Sequence, residues 1–266
     1  MPVYKAPVED TLFLLNDVFQ FERYNNLPGF AEATPDLVEA VLGEGAKLCE
    51  EVLQPINHSG DQEGCKRNAD GSVTTPKGFK QAYEAYAAGG WIGLAMDPEY
   101  GGQGLPYTLG AIMNEFSSSA NMAFAMYPGL TMGAMAALYV HGSDEQKRTY
   151  LPKMAEGTWS GTMNLTEPHC GTDLGLIKTK AVPNGDGSYS ITGTKIFISA
   201  GEQDITENII HLVLARIEGA PQGVKGISLF VVPRNEVGAD GSVGANNKVS
   251  CGSIEHKMGI HGNSTC

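Results

Sequence analysis

The chain has 266 residues, of which 42% are hydrophobic and 18% are charged, and its formal net charge is −12. This composition is typical of a globular protein with one large core or two smaller ones, and the negative charge argues against binding to nucleic acid or anionic membranes. The five cysteines are scattered without a CxxC pair, and no signal-peptide pattern begins the chain. The cysteine pattern disfavours a disulfide framework and a zinc site. Together with the lack of a signal-peptide pattern, it favours a location in the reducing cytoplasm.

The first part of the chain has the apolar spacing of helices. This spacing predicts a first helix over residues 8–24. A Thr-Pro pair at residues 34–35 is typical of a helix N-terminus, and the helix it begins is expected to run to Leu53 before Pro55. The polar, glycine-rich residues 57–75 predict a surface loop, and residues 76–89 predict another helix.

The remainder of this helical part contains a glycine-rich segment and a long uncharged segment. Residues 93–104 contain neither GxGxxG nor GxxxxGK, so they predict a turn between two helices and not a phosphate loop. Residues 117–140 carry no charge and approach membrane-spanning length. Because Pro128-Gly129 interrupts them, they predict a buried helix pair and no membrane span. Ser143 and Gln146 have the spacing of a capping box and begin the last helix.

Beyond residue 158 the pattern changes to short β-branched runs separated by turn clusters. These runs predict strands at residues 189–192, 195–199, 209–215 and 227–232. A series of helices followed by a series of strands indicates an α+β fold in two segregated layers. We therefore expect a helical bundle domain over residues 1–158 and an antiparallel β-sandwich or barrel domain over residues 159–266.

The run Met163–Gly175, MNLTEPHCGTDLG, places two hydroxyls beside a proline and a glycine. This combination predicts a strand that ends in a fixed turn and holds backbone N–H groups and hydroxyls against a ligand. Glu167 and Asp173 resemble an acid–base pair, although hydrogen bonding within the turn is the favoured role. Cys170 has only the adjacent His169 as a partner, which disfavours a thiol nucleophile.

Other catalytic and metal-binding patterns are missing from the sequence. The six histidines form neither HExxH nor another metal-ligand spacing, so no metal is predicted. No GxSxG occurs, which disfavours a hydrolase.

Four sequence blocks, taken together and in order, resemble the acyl-CoA dehydrogenase family. They are the Tyr-Gly-Gly segment within residues 93–104, the segment 142–157, the run Met163–Gly175 and the run Gly193–Gly201. The long N-terminal extension is similar to that of the larger subgroup that includes the methylmercaptopropionyl-CoA dehydrogenases. The resemblance covers nearly the whole chain but only two of the family's three domains, so we expect the family's C-terminal helical bundle to be absent.

The resemblance implies FAD as cofactor and an acyl-CoA as substrate. The residues implied to contact the flavin are Met163, Leu165, Thr166, Gly171, Thr172, Phe197, Ile198 and Ser199. Among them, the Phe197 ring would lie against the flavin, Ser199 would hydrogen-bond near its N5 atom, and Thr172 would also approach the acyl-CoA. Many members carry tryptophan at the position of Phe197 and serine at that of Thr172.

The resemblance also implies a reaction in which an acyl-CoA is oxidised to a trans-2-enoyl-CoA, as in fatty-acid β-oxidation. The family's catalytic glutamate belongs to the C-terminal bundle, so we expect no catalytic residue in this chain. We further expect this chain to be inactive and to bind FAD weakly or not at all. For the full-length protein, the resemblance implies a homo-oligomer that passes electrons to an electron-transferring flavoprotein.

Two other functions remain open on the sequence alone. One is a natural non-catalytic module that binds flavin or acyl-CoA, and the other is an oxidase of the same fold that passes electrons to O₂. The candidates for lining an acyl pocket are Met126, Pro128 and Met132, all within the uncharged segment.

Overall fold

The computed structural model describes residues 3–266, in which a helical part precedes a sheet part. The helices are α1 (Val8–Phe13), α2 (Pro35–Lys47), α3 (Asn57–Glu63), α4 (Phe79–Ala88), α5 (Tyr107–Ala120), α6 (Met122–His141) and α7 (Asp144–Glu156). The strands are β1 (Lys66–Arg67), β2 (Val73–Thr74), β3 (Trp159–Asn164), β4 (Lys180–Pro183), β5 (Tyr189–Thr192), β6 (Asn208–Ile217), β7 (Ile227–Pro233), β8 (Asn235–Val237) and β9 (Val243–Asn246). The predicted α+β class is confirmed, while the predicted boundary at residue 158 stays a prediction.

The first two predicted helices are present but irregular. α1 continues into a π-helical turn over Leu14–Val18, and Gln20 (φ 48°) then breaks the helix before a 3₁₀ turn. α2 begins as predicted, because the Thr34 hydroxyl accepts a hydrogen bond from the Leu37 N–H at 3.4 Å. Its backbone then continues through π-helical and 3₁₀ turns past Pro55.

The prediction of a surface loop over residues 57–75 is wrong at its start, where α3 forms. Gly60 in α3 is buried, and a Cβ atom there would lie 2.4 Å from the Phe79 ring. The close packing of α3 on Phe79 therefore overrides the polar, glycine-rich sequence. The rest of the segment contains the short antiparallel pair β1–β2.

Helices α5 and α6 form the predicted buried pair, but the break between them lies at Asn121 and not at Pro128. Asn121 has an extended backbone (φ −159°), and its side chain accepts a hydrogen bond from the Phe124 N–H at 3.0 Å as the N-cap of α6. Pro128 lies inside α6. By length and composition α6 could cross a membrane, with a mean hydropathy of 1.3, but half of it is buried within the structure.

One face of α6 is covered by the sheet part of the chain. The Thr131 hydroxyl accepts a hydrogen bond from the Gly161 N–H of β3 at 3.0 Å. The Tyr127 hydroxyl donates to the Gly262 carbonyl at 3.0 Å and accepts from the Ser264 N–H at 3.1 Å. The residues that cover α6 therefore come from both the beginning and the end of the sheet part.

The last helix of the helical part, α7, begins as the sequence predicts. The two hydrogen bonds of a capping box are present at its start. The Gln146 N–H donates to the Ser143 hydroxyl at 3.2 Å, and the Ser143 N–H donates to the Gln146 side-chain oxygen at 2.9 Å. Gly157 (φ 87°) ends the helix in the left-handed conformation that favours glycine. Trp159, the first residue of β3, is fully buried directly after it.

The main sheet has five strands and is mixed, so the predicted antiparallel arrangement is only partly right. β6 is the central strand and pairs in parallel with β3 and β4 and antiparallel with β7. β4 and β5 form an antiparallel hairpin, and β8 and β9 form a separate antiparallel pair. The parallel pairs arise because long connections, and not tight turns, separate β3 and β4 from β6.

Candidate functional site

The predicted strand and fixed turn of the run Met163–Gly175 are present. β3 ends at Asn164, and Glu167 and Cys170 exchange both backbone hydrogen bonds, at 2.9 and 3.0 Å. Gly171 and Thr172 follow on the surface. The turn therefore presents an exposed glycine and an exposed hydroxyl directly after a rigid bridge.

Glu167 is buried beneath this turn and accepts three hydrogen bonds. The donors are the Lys178 N–H at 2.7 Å, the Thr179 N–H at 3.0 Å and the Lys195 ammonium at 2.9 Å. Burial alone would raise the pKa of Glu167, but hydrogen bonds from Thr179, Lys178 and Lys195 outweigh it and lower the pKa to about 2. Glu167 is thus an ionised anchor of the turn, in line with its favoured role, and not a proton carrier at neutral pH.

Lys195 joins the turn to the second predicted flavin segment. Besides Glu167, its ammonium donates a hydrogen bond to the Leu165 carbonyl at 3.0 Å. The next residue, Ile196, donates its N–H to the Thr166 carbonyl at 3.0 Å. The structure therefore brings together two segments that lie about thirty residues apart in the sequence.

The prediction of a strand over residues 195–199 is wrong. Phe197 (φ 59°) and Ala200 (φ 55°) both have left-handed backbones, which an extended strand cannot contain. Ile198 instead exchanges both backbone hydrogen bonds with Cys266, at 2.8 and 2.9 Å. An extended strand would place the side chains of Phe197 and Ser199 on one face, and this arrangement does not occur.

Phe197 is nevertheless presented to solvent, as a ligand-contacting ring should be. Its side chain is 49% exposed, and the Lys257 ammonium lies 5.0 Å from the ring centroid. A left-handed backbone at a bulky residue is uncommon and costs on the order of 1–3 kcal/mol, and such strain clusters at functional sites. Ile198 is buried, whereas Ser199 is half-buried beside it.

The other predicted contact residues form a partly open surface around the turn. Met163, Leu165 and Thr166 are half-buried. Among residues 3–266, no protein group accepts a hydrogen bond from the Thr166 N–H. A Cβ atom at Gly171 would lie 3.5 Å from the Thr166 methyl group, so these two residues are neighbours. The site therefore offers a free N–H donor beside a glycine.

One group of side chains in the turn could in principle hold a metal ion. The ligand atoms of Glu167, His169 and Cys170 lie within 4.8 Å of one another. However, the Glu167 carboxylate is paired with the Lys195 ammonium, and Nε2 of His169 lies 3.0 Å from the Leu176 carbonyl. These contacts disfavour a cation there, and the expected lack of a metal stays a prediction.

An apolar cavity of about 850 Å³ lies in the helical part, between the glycine-rich segment 93–104 and helices α5 and α6. Met126 and Met132 line it, as the sequence suggested, whereas Pro128 is buried away from it. The sequence reasoning missed the contributions of Trp91 and Tyr107, which lie outside the uncharged segment. Apart from Asp97 its lining carries no charged side chain, and its volume is sufficient to hold an alkyl chain.

Comparisons with known proteins agree with this architecture. Residues 40–158 match the family model of the acyl-CoA dehydrogenase N-terminal domain, and residues 162–266 match that of the middle domain. The chain is 45% identical to a 3-methylmercaptopropionyl-CoA dehydrogenase of Ruegeria pomeroyi over 98% of its length and 44% of that protein's. It is 39% identical to a butyryl-CoA dehydrogenase of Syntrophomonas wolfei over 94% of its length and 41% of that protein's.

Solved structures of similar fold include an acyl-CoA dehydrogenase of Bacillus anthracis complexed with FAD. That structure has a TM-score of 0.68 and 26% sequence identity, and the match covers 86% of this chain and 34% of that one. The chain thus spans less than half of the length of the curated relatives described above.

Proposed function

The chain belongs to the acyl-CoA dehydrogenase family, and we propose that it forms the flavin-contacting and acyl-holding part of an FAD-dependent acyl-CoA dehydrogenase. The proposed reaction converts an acyl-CoA to a trans-2-enoyl-CoA. FAD, when bound, supplies the acceptor for the β-hydrogen. The base that removes the α-proton is proposed to be a glutamate outside this chain, and the electrons are proposed to pass to an electron-transferring flavoprotein.

The residues around the turn fit a planar, hydrogen-bonding cofactor. The Thr166 N–H has no acceptor among the described residues, and the Phe197 ring is half exposed with a cation on one side. A ring in this position can stack against a flat ligand. We assign direct contacts to Met163, Leu165, Thr166, Gly171, Thr172, Phe197 and Ser199. Ile198 is buried, so we assign it the supporting role of holding Phe197 in place.

The apolar cavity between α5 and α6 is the proposed site of the acyl chain. Its volume of about 850 Å³ and its methionine-rich lining suit a flexible alkyl group, because methionine adapts to irregular apolar shapes. The exposed Thr172 hydroxyl is the proposed contact to the acyl-CoA itself.

The observation that supports the proposal is the hydrogen bond from the Ile196 N–H to the Thr166 carbonyl at 3.0 Å, which joins the two segments proposed to contact the flavin. The test is equilibrium dialysis of the purified chain against FAD up to millimolar concentration. We expect weak, saturable binding that Phe197→Ala weakens further. Phe19→Ala is the matched control, since Phe19 is 55% exposed and lies far from the site in sequence. A lack of saturable binding, or equal losses in both variants, would refute the proposal.

A further inference from the structure

Lys195 is a buried cation with two acceptors on the turn. Its side chain is 8% exposed, and its ammonium contacts the Glu167 carboxylate at 2.9 Å and the Leu165 carbonyl at 3.0 Å. Burying a charged pair costs solvation free energy, and apolar residues of the same size often stabilise a fold equally well. Stability alone therefore does not explain why a lysine is needed here.

The contact with the Leu165 carbonyl fixes the direction of a neighbouring donor. A peptide unit is planar, and in the trans form its N–H points opposite to its C=O. No described residue has a cis peptide bond. Because the Leu165 carbonyl is directed at Lys195, the N–H of Thr166 in the same peptide unit is directed away from it. This N–H is the donor that lacks an acceptor among the described residues.

The same lysine also holds the second segment against the first. Lys195 lies directly before Ile196, whose N–H bonds the Thr166 carbonyl, and Glu167 lies directly after Thr166. The Lys195–Glu167 ion pair and the hydrogen bond from Ile196 to Thr166 therefore lie side by side and connect the two segments. Phe197, with its left-handed backbone, follows immediately.

We propose that Lys195 is a positioning residue of the cofactor site, which turns the Thr166 N–H towards the ligand and fastens the Phe197 segment to the turn. The identity of the ligand as FAD rests on the proposed function, whereas the attachment of the Phe197 segment to the turn by Lys195 does not. The Glu167 carboxylate compensates the positive charge of the buried Lys195 ammonium. Its two other hydrogen bonds, from the backbone of Lys178 and Thr179, keep the carboxylate in place.

The test compares Lys195→Met, which removes the donor, with Lys195→Arg, which keeps a cation and several donors. Lys180→Met is the matched control, because Lys180 is exposed on β4. Amide hydrogen exchange of Ile196 reports the fastening, and that of Ile210 in the central strand reports overall stability. In Lys195→Met, we expect Ile196 to exchange roughly 10-fold or more faster relative to Ile210, as expected for a lost hydrogen bond to a charged group.

In Lys195→Arg and Lys180→Met, the ratio of the two exchange rates should stay near that of the unmodified chain. FAD affinity, measured by the same dialysis on folded protein, should fall roughly 10-fold or more in Lys195→Met only. Equal acceleration of Ile196 and Ile210, or unchanged exchange in Lys195→Met, would overturn the inference.

The outcomes separate this inference from the proposed function. If the unmodified chain does not bind FAD but Lys195→Met loosens Ile196 selectively, the proposed function fails and the fastening stands. If the unmodified chain binds FAD and Lys195→Met binds it equally well, the positioning role is wrong. Should Lys195→Met fail to fold, the unmodified chain decides: Ile196 must be protected and Thr166 unprotected before FAD is added, and a protected Thr166 amide would overturn the inference.

Discussion

The pKa of Glu167 predicts a measurable acid sensitivity of the fold. The carboxyl group is buried, and its pKa lies at about 2 instead of the ordinary 4.5. At about 1.36 kcal/mol for each unit of difference between the folded and unfolded pKa, the carboxylate contributes roughly 3 kcal/mol to the free energy of unfolding near neutral pH. Because the folded-state pKa is depressed, the contribution is complete well above the unfolded pKa and is lost as the pH falls towards the folded pKa.

The perturbation that isolates this contribution is Glu167→Gln, which keeps an acceptor oxygen but removes the charge. We expect the variant to be less stable than the unmodified chain by roughly 3 kcal/mol at about pH 6, and by roughly half as much at about pH 3. Urea unfolding across this range measures both proteins. Other carboxylates contribute equally to both, so they cancel in the difference.

The control for this experiment is Asp186→Asn. The Asp186 carboxylate accepts hydrogen bonds from Ser188, which lower its pKa, but it is fully exposed in a hairpin turn. Its replacement should therefore change stability little at any pH. A constant stability difference between the unmodified chain and Glu167→Gln from about pH 6 to 3 would refute the role assigned to the buried carboxylate.

Three further predictions concern packing, a thiol and the reaction. Gly193→Ala should lower the melting temperature and reduce the free energy of unfolding by roughly 1–3 kcal/mol, because the new Cβ atom would lie 2.1 Å from Oγ1 of Thr179. The control Gly252→Ala meets no atom within 4 Å and should melt like the unmodified chain. Equal melting temperatures of the two variants would contradict this prediction. A hydrogen bond from Cys266 lowers the pKa of the Cys251 thiol below its ordinary value, so its alkylation, followed by mass spectrometry, should become fast at a lower pH than that of Cys65, whose pKa is raised by burial. Since we assign no catalytic base to this chain, it should not reduce an artificial electron acceptor with acyl-CoA, and robust turnover in a dye-reduction assay would disprove that assignment.

The sequence predicted those elements whose cause is local. The Ser143–Gln146 capping box and the Thr34 N-cap lie within four residues of the helices they begin, so their patterns could be read directly. The turn at Glu167 was also predicted, because Pro, Gly and hydroxyl residues constrain their own neighbours. α3 could not be predicted, since the contact of Gly60 with Phe79 is tertiary.

The errors around Phe197 have the same physical origin. The run of β-branched and aromatic residues predicts a strand, but the Asn263 side chain accepts a hydrogen bond from the Ala200 N–H at 3.1 Å and Cys266 takes both backbone bonds of Ile198. These partners lie more than sixty residues away in the sequence. Lys195 was missed because a lysine before an apolar run normally marks a solvated strand end, and only the fold brings Glu167 within reach.

The residues that cover α6 come later in the chain, and this has a consequence for the state of α6 during synthesis on the ribosome. A ribosome releases this uncharged helix well before β3 and long before residues 262–264, which bond Tyr127. Until those residues emerge, the groups of α6 that they cover in the fold, the hydroxyls of Thr131 and Tyr127 among them, lack these partners. Biosynthesis of this chain therefore includes an interval in which α6 needs shielding, and a ribosome stalled within that interval would release a product prone to aggregation.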